Sequence, residues 1–144
     1  MNTGSLPTKK VLTLQAARAI ADAALAEAVK RGMNELVVVV VDDGGHLILL
    51  ERQDHAEPAA VDIGIAKTRT AAIFKRDTKE WKERLLEGKW WVLGMPNMTP
   101  IEGGIPIVAE GRIIGAVGIA GAKGGTDSEI CRAGLAALQD GGAQ

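Results

Sequence analysis

The densest polar constellation in the sequence is Arg52, Asp54, Lys67, Arg69 and Glu102, with His55 beside Asp54. Cations and carboxylates gathered at loop ends would clamp an acidic substrate, or tune a general base where burial shifts its pKa. Spread over a surface, the same residues would form solvated ion pairs, and the residues alone leave both readings open. Arg52, Asp54 and Glu57 surround His55, a setting in which a neutral imidazole would ligate iron or relay a proton near neutral pH; otherwise it is a solvated loop residue. His46 follows a turn and reads as solvated. Glu102-Gly103-Gly104 spells a tight bend where backbone can approach a ligand. Lys123 and Gly124-Gly125 precede a helix start whose free N–H groups would hold a carboxylate, unless the loop is flexible and the lysine solvated. Cys131, next to Ile130 near a helix face, reads as a buried, inert thiol rather than a reactive one.

Several catalytic signatures are missing: there is no G-x-x-x-x-G-K-S/T loop, G-x-G-x-x-G, G-x-S-x-G elbow, H-E-x-x-H or paired C-x-x-C. The 144 residues suit a single domain, 1–144, with 1–10 and 141–144 expected to be flexible. Only four aromatics (3 Trp, 1 Phe) and a net charge of -1 argue against nucleic acid, which needs stacking platforms or a basic field. One cysteine makes neither an internal disulfide nor a thiol-ligated zinc site, and no apolar leader segment precedes the first helix, so the expected compartment is the cytoplasm. The longest aliphatic run, Leu36 to Val41, falls far short of the ~20 residues that cross a bilayer.

The elements that must position these groups follow from periodicity. Thr13 caps a helix whose alanine-rich face runs from Leu14 to Ala28, with Gly32 as the stop; the small face would sit close to a sheet or another subunit. Glu35 to Asp42 and His46 to Arg52 form a hairpin about Asp43-Gly44-Gly45. A second helix runs from Val61 to Phe74, and Asp77 with Glu80 caps a short third one ended by Gly88. Trp90 to Leu93 reads as extended. Ile105 to Ala109 and Arg112 to Ala120 form a second hairpin about Glu110-Gly111, with Pro106 tolerable on an edge strand. Glycines 115, 118 and 121 leave room for a helix or a flat ligand above the last strand. Thr126 and Glu129 spell a capping box for a final helix that frays at Gly141. Hairpins rather than βαβ crossovers imply an α+β fold with an antiparallel sheet covered by helices.

The ordered blocks of this chain resemble the GlcG/HbpS-like haem-binding or haem-degrading family, which also supplies the C-terminal domain of PduO-type proteins. They are L-T-L-x-x-A at Leu12 to Ala17, V-D-x-G-G-H-L at Val41 to Leu47, R-x-D at Arg52 to Asp54 and A-K-x-R-T-A at Ala66 to Ala71. P-x-E-G-G-x-P-I at Pro100 to Ile107, G-A-x-G-I-x-G-A at Gly115 to Ala122 and D-x-x-x-C-x-A-G-L at Asp127 to Leu135 complete the series. The resemblance implies a profilin-like fold, assemblies from dimers to octamers, and binding of haem or another tetrapyrrole. His55 stands where relatives commonly carry a small residue after R-x-D, so the loop chemistry is individual to this chain.

Under that resemblance the first expectation is a cytoplasmic homo-oligomer that binds haem or a related planar or acidic small molecule. His55 would be the iron ligand, Lys67, Arg69 and Lys123 the propionate cations, and Arg52, Asp54, Glu102, Gly103 and Gly104 would complete the crevice. The second is a cofactor-independent enzyme performing proton transfer on a small organic acid or aromatic catabolite. Glu102 or Asp54 would be its base, His55 its acid, and Arg52 or Lys67 its clamp. A third is an assembly module without a ligand. The first two require the tip of the first hairpin, the second helix and the Glu102 bend to converge on one pocket.

Overall fold

The computed structural model describes residues 4–142; the expected flexibility of residues 1–3 and 143–144 lies outside them. Four strands, β1 (Val37–Asp42), β2 (Leu47–Arg52), β3 (Gly104–Ala109) and β4 (Arg112–Ala120), form one antiparallel sheet in the order β2-β1-β4-β3. Helices α1 (Leu14–Lys30) and α4 (Asp127–Gly142) cover one face. Helix α2 (Ala59–Ile73) covers the other, and α3 (Thr78–Leu86) packs beside it. This is the α+β architecture that the two hairpins imply.

The run of five valines in β1 is fully buried because the strand is central and covered on both faces. Val38 and Val40 enter the core under α1 and α4, while Val37, Val39 and Val41 enter the one under α2. The alanine face of α1 meets α4: a Cβ on Gly134 would lie 2.8 Å from the Ile20 carbonyl oxygen. The close approach expected of those alanines is therefore within the subunit.

Glycines set how near α2 comes to the sheet. Gly118 and Gly104 face each other across the β3–β4 pair. A Cβ on Gly118 would fall 1.8 Å from Thr68 Oγ1, and one on Gly104 would fall 2.5 Å from the Lys67 carbonyl oxygen. The space above the glycine-bearing strand thus belongs to a helix, not to a flat ligand.

Thr13 caps α1, its side chain accepting from Ala16 N at 3.1 Å, and Asp77 caps α3 through Lys79 N at 2.9 Å. Two sequence expectations change. Trp90–Gly94 is a 3-10 turn packed against α3, with only Val92 of that stretch buried. The Thr126 capping box does not form: the hydroxyl donates to the Lys123 carbonyl at 2.8 Å, and Glu129 pairs with Arg31 instead. The arm at 4–10 crosses both hairpin tips: Lys9 pairs with Asp43, Lys10 with Glu110 at 3.2 Å, and Arg112 donates to the Thr8 carbonyl at 3.2 Å. Helix α4 runs through Gly142. Among the described residues, no helix is long and apolar enough to cross a membrane.

Candidate ligand-binding site

Lys67 projects from α2 into the protein and is 1% exposed. Its ammonium donates to the Glu102 carbonyl at 3.0 Å and to Asp127 Oδ2 at 2.9 Å. Asp127 opens α4, and its other oxygen accepts from Ala122 N at 3.0 Å. Between them runs Gly103 at φ +116, a conformation that excludes a side chain, and a Cβ there would lie 2.7 Å from Lys67 Nζ. Thr78 Oγ1 accepts from Gly104 N at 2.9 Å, and Cys131 Sγ donates to the Gly103 carbonyl at 3.3 Å. Burial pushes the Cys131 thiol far up, outweighing the nearby Lys67 charge. The bend is therefore approached by the protein itself.

The Glu102 carboxylate is also engaged, accepting from Ser128 Oγ at 3.1 Å and pairing with Lys82 at 3.5 Å. It borders a depression of about 320 Å³ that includes Lys82, Ile101 and Asp127. Groups already spent in this network are poorly placed to serve as a free base and clamp.

Arg52, Asp54 and His55 lie elsewhere. They share a shallow depression of about 310 Å³ with Asn34 and Gln53, all polar, and His55 is exposed. Arg52 and Gly104 occupy the same end of the sheet but opposite edge strands, three inter-strand steps apart, or about 14 Å. Arg69 is on the exposed side of α2, beside Met95, Asn97, Met98 and Thr99. Lys123 is exposed in the turn before α4. The convergence of Arg52, Lys67 and Glu102 on one pocket is thus corrected: strand order sends the first to the far edge, and burial takes the second out of reach of solvent.

A cavity that the charged residues did not signal lies on the α1/α4 side, against the outer edge of β3. It measures about 520 Å³. Leu12, Ile107 and Ile114 are its buried floor, and Leu135 and Leu138 of α4 form one wall. Lys10 and Glu110, paired with each other, stand at its rim. The volume is that of an ordinary small-molecule site, which takes roughly 300–1,000 Å³. Its only trace in the sequence is the three-residue spacing of Leu135 and Leu138, which puts both on one side of α4.

A four-stranded antiparallel sheet covered by helices on both faces places the chain among small α+β domains. The family model for haem-degrading HbpS-like proteins matches residues 12–136, and the chain belongs to that family. It is 42% identical to Protein GlcG of Escherichia coli K12 over 114 residues, 79% of this chain and 84% of GlcG. A double mutant of HbpS from Streptomyces reticuli superposes with a TM-score of 0.83 at 34% identity, covering 96% of this chain and 94% of that one. A PduOC–haem complex shares the fold, with a TM-score of 0.79 at 23% identity, covering 89% and 95%.

Haem requires an apolar slot, cations for its propionates and, where iron is bound by protein, an axial ligand. Neither the His55 depression nor the β3-edge cavity gathers all three. Around His55 the lining is polar. The apolar cavity has Lys10 at its mouth, yet none of its lining residues is a histidine, cysteine, methionine or tyrosine.

Proposed function

We propose that this chain binds haem or a closely related planar tetrapyrrole, as a cytoplasmic assembly of identical subunits. The observation that carries the reading is the apolar cavity of about 520 Å³ at the β3 edge, in a chain of the HbpS-like family. Burying the faces of a ring there would supply most of the affinity, at roughly 25 cal/mol per Å² of apolar surface removed from water. Self-association is supported by Leu86, Trp90, Trp91 and Leu93, large apolar side chains left exposed around the end of α3. A cytoplasmic setting is supported by the single cysteine, which is free and buried.

Titrating the purified protein with hemin tests the function. The expected result is a saturable Soret shift with one ligand per chain; a spectrum that remains that of free hemin removes the reading. Sedimentation velocity tests the assembly, which fails if the chain runs as a monomer at micromolar concentration.

A further inference from the structure

We propose that the β3-edge cavity recognises its ligand by ring and carboxylate alone, with Lys10 as the carboxylate receptor, Glu110 as its resident competitor, and no protein bond to a metal. The inference rests on the proposed tetrapyrrole function and goes beyond it by assigning the site and the mode of recognition. Three independent observations carry it.

The first is the donor chemistry of the cavity. Its floor and walls are aliphatic, and the polar side chains that line it are Lys10 and Glu110 at the rim. Neither histidine is there: His55 lies in the Arg52 loop, and His46 is paired with Asp42 at the first hairpin tip. An ammonium is an acid at neutral pH and does not ligate iron, but it does bind carboxylates.

The second is the backbone at Glu110. It sits at φ +50 and Gly111 at φ +74, so the two-residue β3–β4 turn requires the left-handed conformation at both positions. Asn, Asp or Gly ordinarily fills the first position of such a turn, and a longer side chain there is strained. The strain places a carboxylate opposite Lys10 at 3.2 Å, where a turn-favouring glycine would leave the lysine unopposed.

The third is how the mouth is built. Its lower lip is the N-terminal arm, which meets both hairpin tips through the Lys9–Asp43 and Lys10–Glu110 pairs and through Arg112 on the Thr8 carbonyl. Lys10 and Glu110 remain largely exposed, with 56% and 71% of their side-chain surface open, so the pair is weak and replaceable. A ligand carboxylate entering with its ring in the cavity would take Lys10 from Glu110 at little cost.

Binding is measured with hemin, with metal-free protoporphyrin IX and with its dimethyl ester, on the full chain and on four variants. The inference expects hemin and protoporphyrin IX to bind within about three-fold of each other, and His55→Ala to leave both unchanged. Lys10→Met should weaken the diacid porphyrin roughly five-fold and leave the ester unaffected; Glu110→Gln should tighten the diacid by a similar factor. Val108→Asp puts a charge on an exposed rim position where folding is not at stake, and should abolish binding of all three ligands. If hemin binds while protoporphyrin IX does not, or if His55→Ala removes the hemin Soret shift, the inference is wrong and the haem function stands. If Val108→Asp changes nothing, the cavity is not the site. Failure of every ligand to bind overturns the function itself.

Discussion

Removing either partner of the Lys67–Asp127 pair should destabilise the protein, and by unequal amounts. Deleting one member of a buried pair costs roughly 3–5 kcal/mol because the survivor is left charged and desolvated. The survivors here differ. Asp127→Ala leaves an ammonium that is 1% exposed with the Glu102 carbonyl as its remaining partner, so the full range of about 3–5 kcal/mol applies. Lys67→Met leaves a carboxylate that is 18% exposed and still accepts from Ala122 N, so about 2–3 kcal/mol is expected. With both replaced, as Lys67→Met with Asp127→Leu, no uncompensated charge remains, and the loss should be smaller than the sum of the singles by at least about 2 kcal/mol. Urea unfolding at fixed protein concentration, with m-values compared across the cycle, reads these differences directly. Additive losses, or a milder effect from Asp127→Ala than from Lys67→Met, would refute the idea that the pair is a buried strut for the Gly103 bend. Loss of ligand binding by Lys67→Met at unchanged stability would return the lysine to the binding machinery.

Gly118→Ala should cost about 2–3 kcal/mol, since its Cβ would meet Thr68 Oγ1 at 1.8 Å, and Thr68→Ala in the same chain should recover part of that loss in a thermal melt. Glu110→Asn should stabilise by about 0.5–1 kcal/mol in urea, because asparagine adopts the φ +50 backbone more readily; a loss would mean the Lys10 pair matters more than the turn. Burial pushes the Asp42 carboxyl up, but N–H bonds from His46 and Gly44 and the His46 ring outweigh it and hold it below its ordinary range. The stability it contributes is therefore present above its unfolded pKa of about 4 and lost as pH falls through its lower folded value. The stability gap between the natural chain and Asp42→Ala, measured across pH 2–7, should narrow only in acid. Cys131 should react with a thiol reagent only as fast as the protein opens, being fully buried with its thiol pKa raised.

Most of the fold was legible because local signals and burial agree. Thr13 and Asp77 are caps, Gly32 and Gly88 stop their helices at φ +76 and φ +86, and both hairpins fall on their turn residues. The glycines of β4 were legible as a packing signature, and Gly118 against Thr68 shows why. The failures came where tertiary partners outcompeted local chemistry. Glu129 has a capping-box spacing from Thr126, yet Arg31, at the end of α1, takes its carboxylate. The Trp90 stretch has strand-like residues but packs against α3 as a 3-10 turn, outside the sheet.

The functional site was less legible, and for a reason specific to antiparallel sheets. Chain order β1-β2-β3-β4 suggests that the end of β2 and the start of β3 are neighbours, which would bring Arg52 to Glu102. The order in space is β2-β1-β4-β3, so those two ends share one end of the sheet but lie on its opposite edges, with two strands between them. What chain order hides on one side it builds on the other. Both hairpin tips reach the same end of the sheet, because Asp42 pairs with Gly115 close to each turn, and the arm before α1 crosses there. A cavity walled by that arm, β3 and α4 draws on residues 10–16, 106–114 and 135–138, and no single sequence window holds its apolar lining together. Charged clusters are visible in a sequence because they are local; an apolar slot assembled from three distant segments becomes visible only once the sheet order is known.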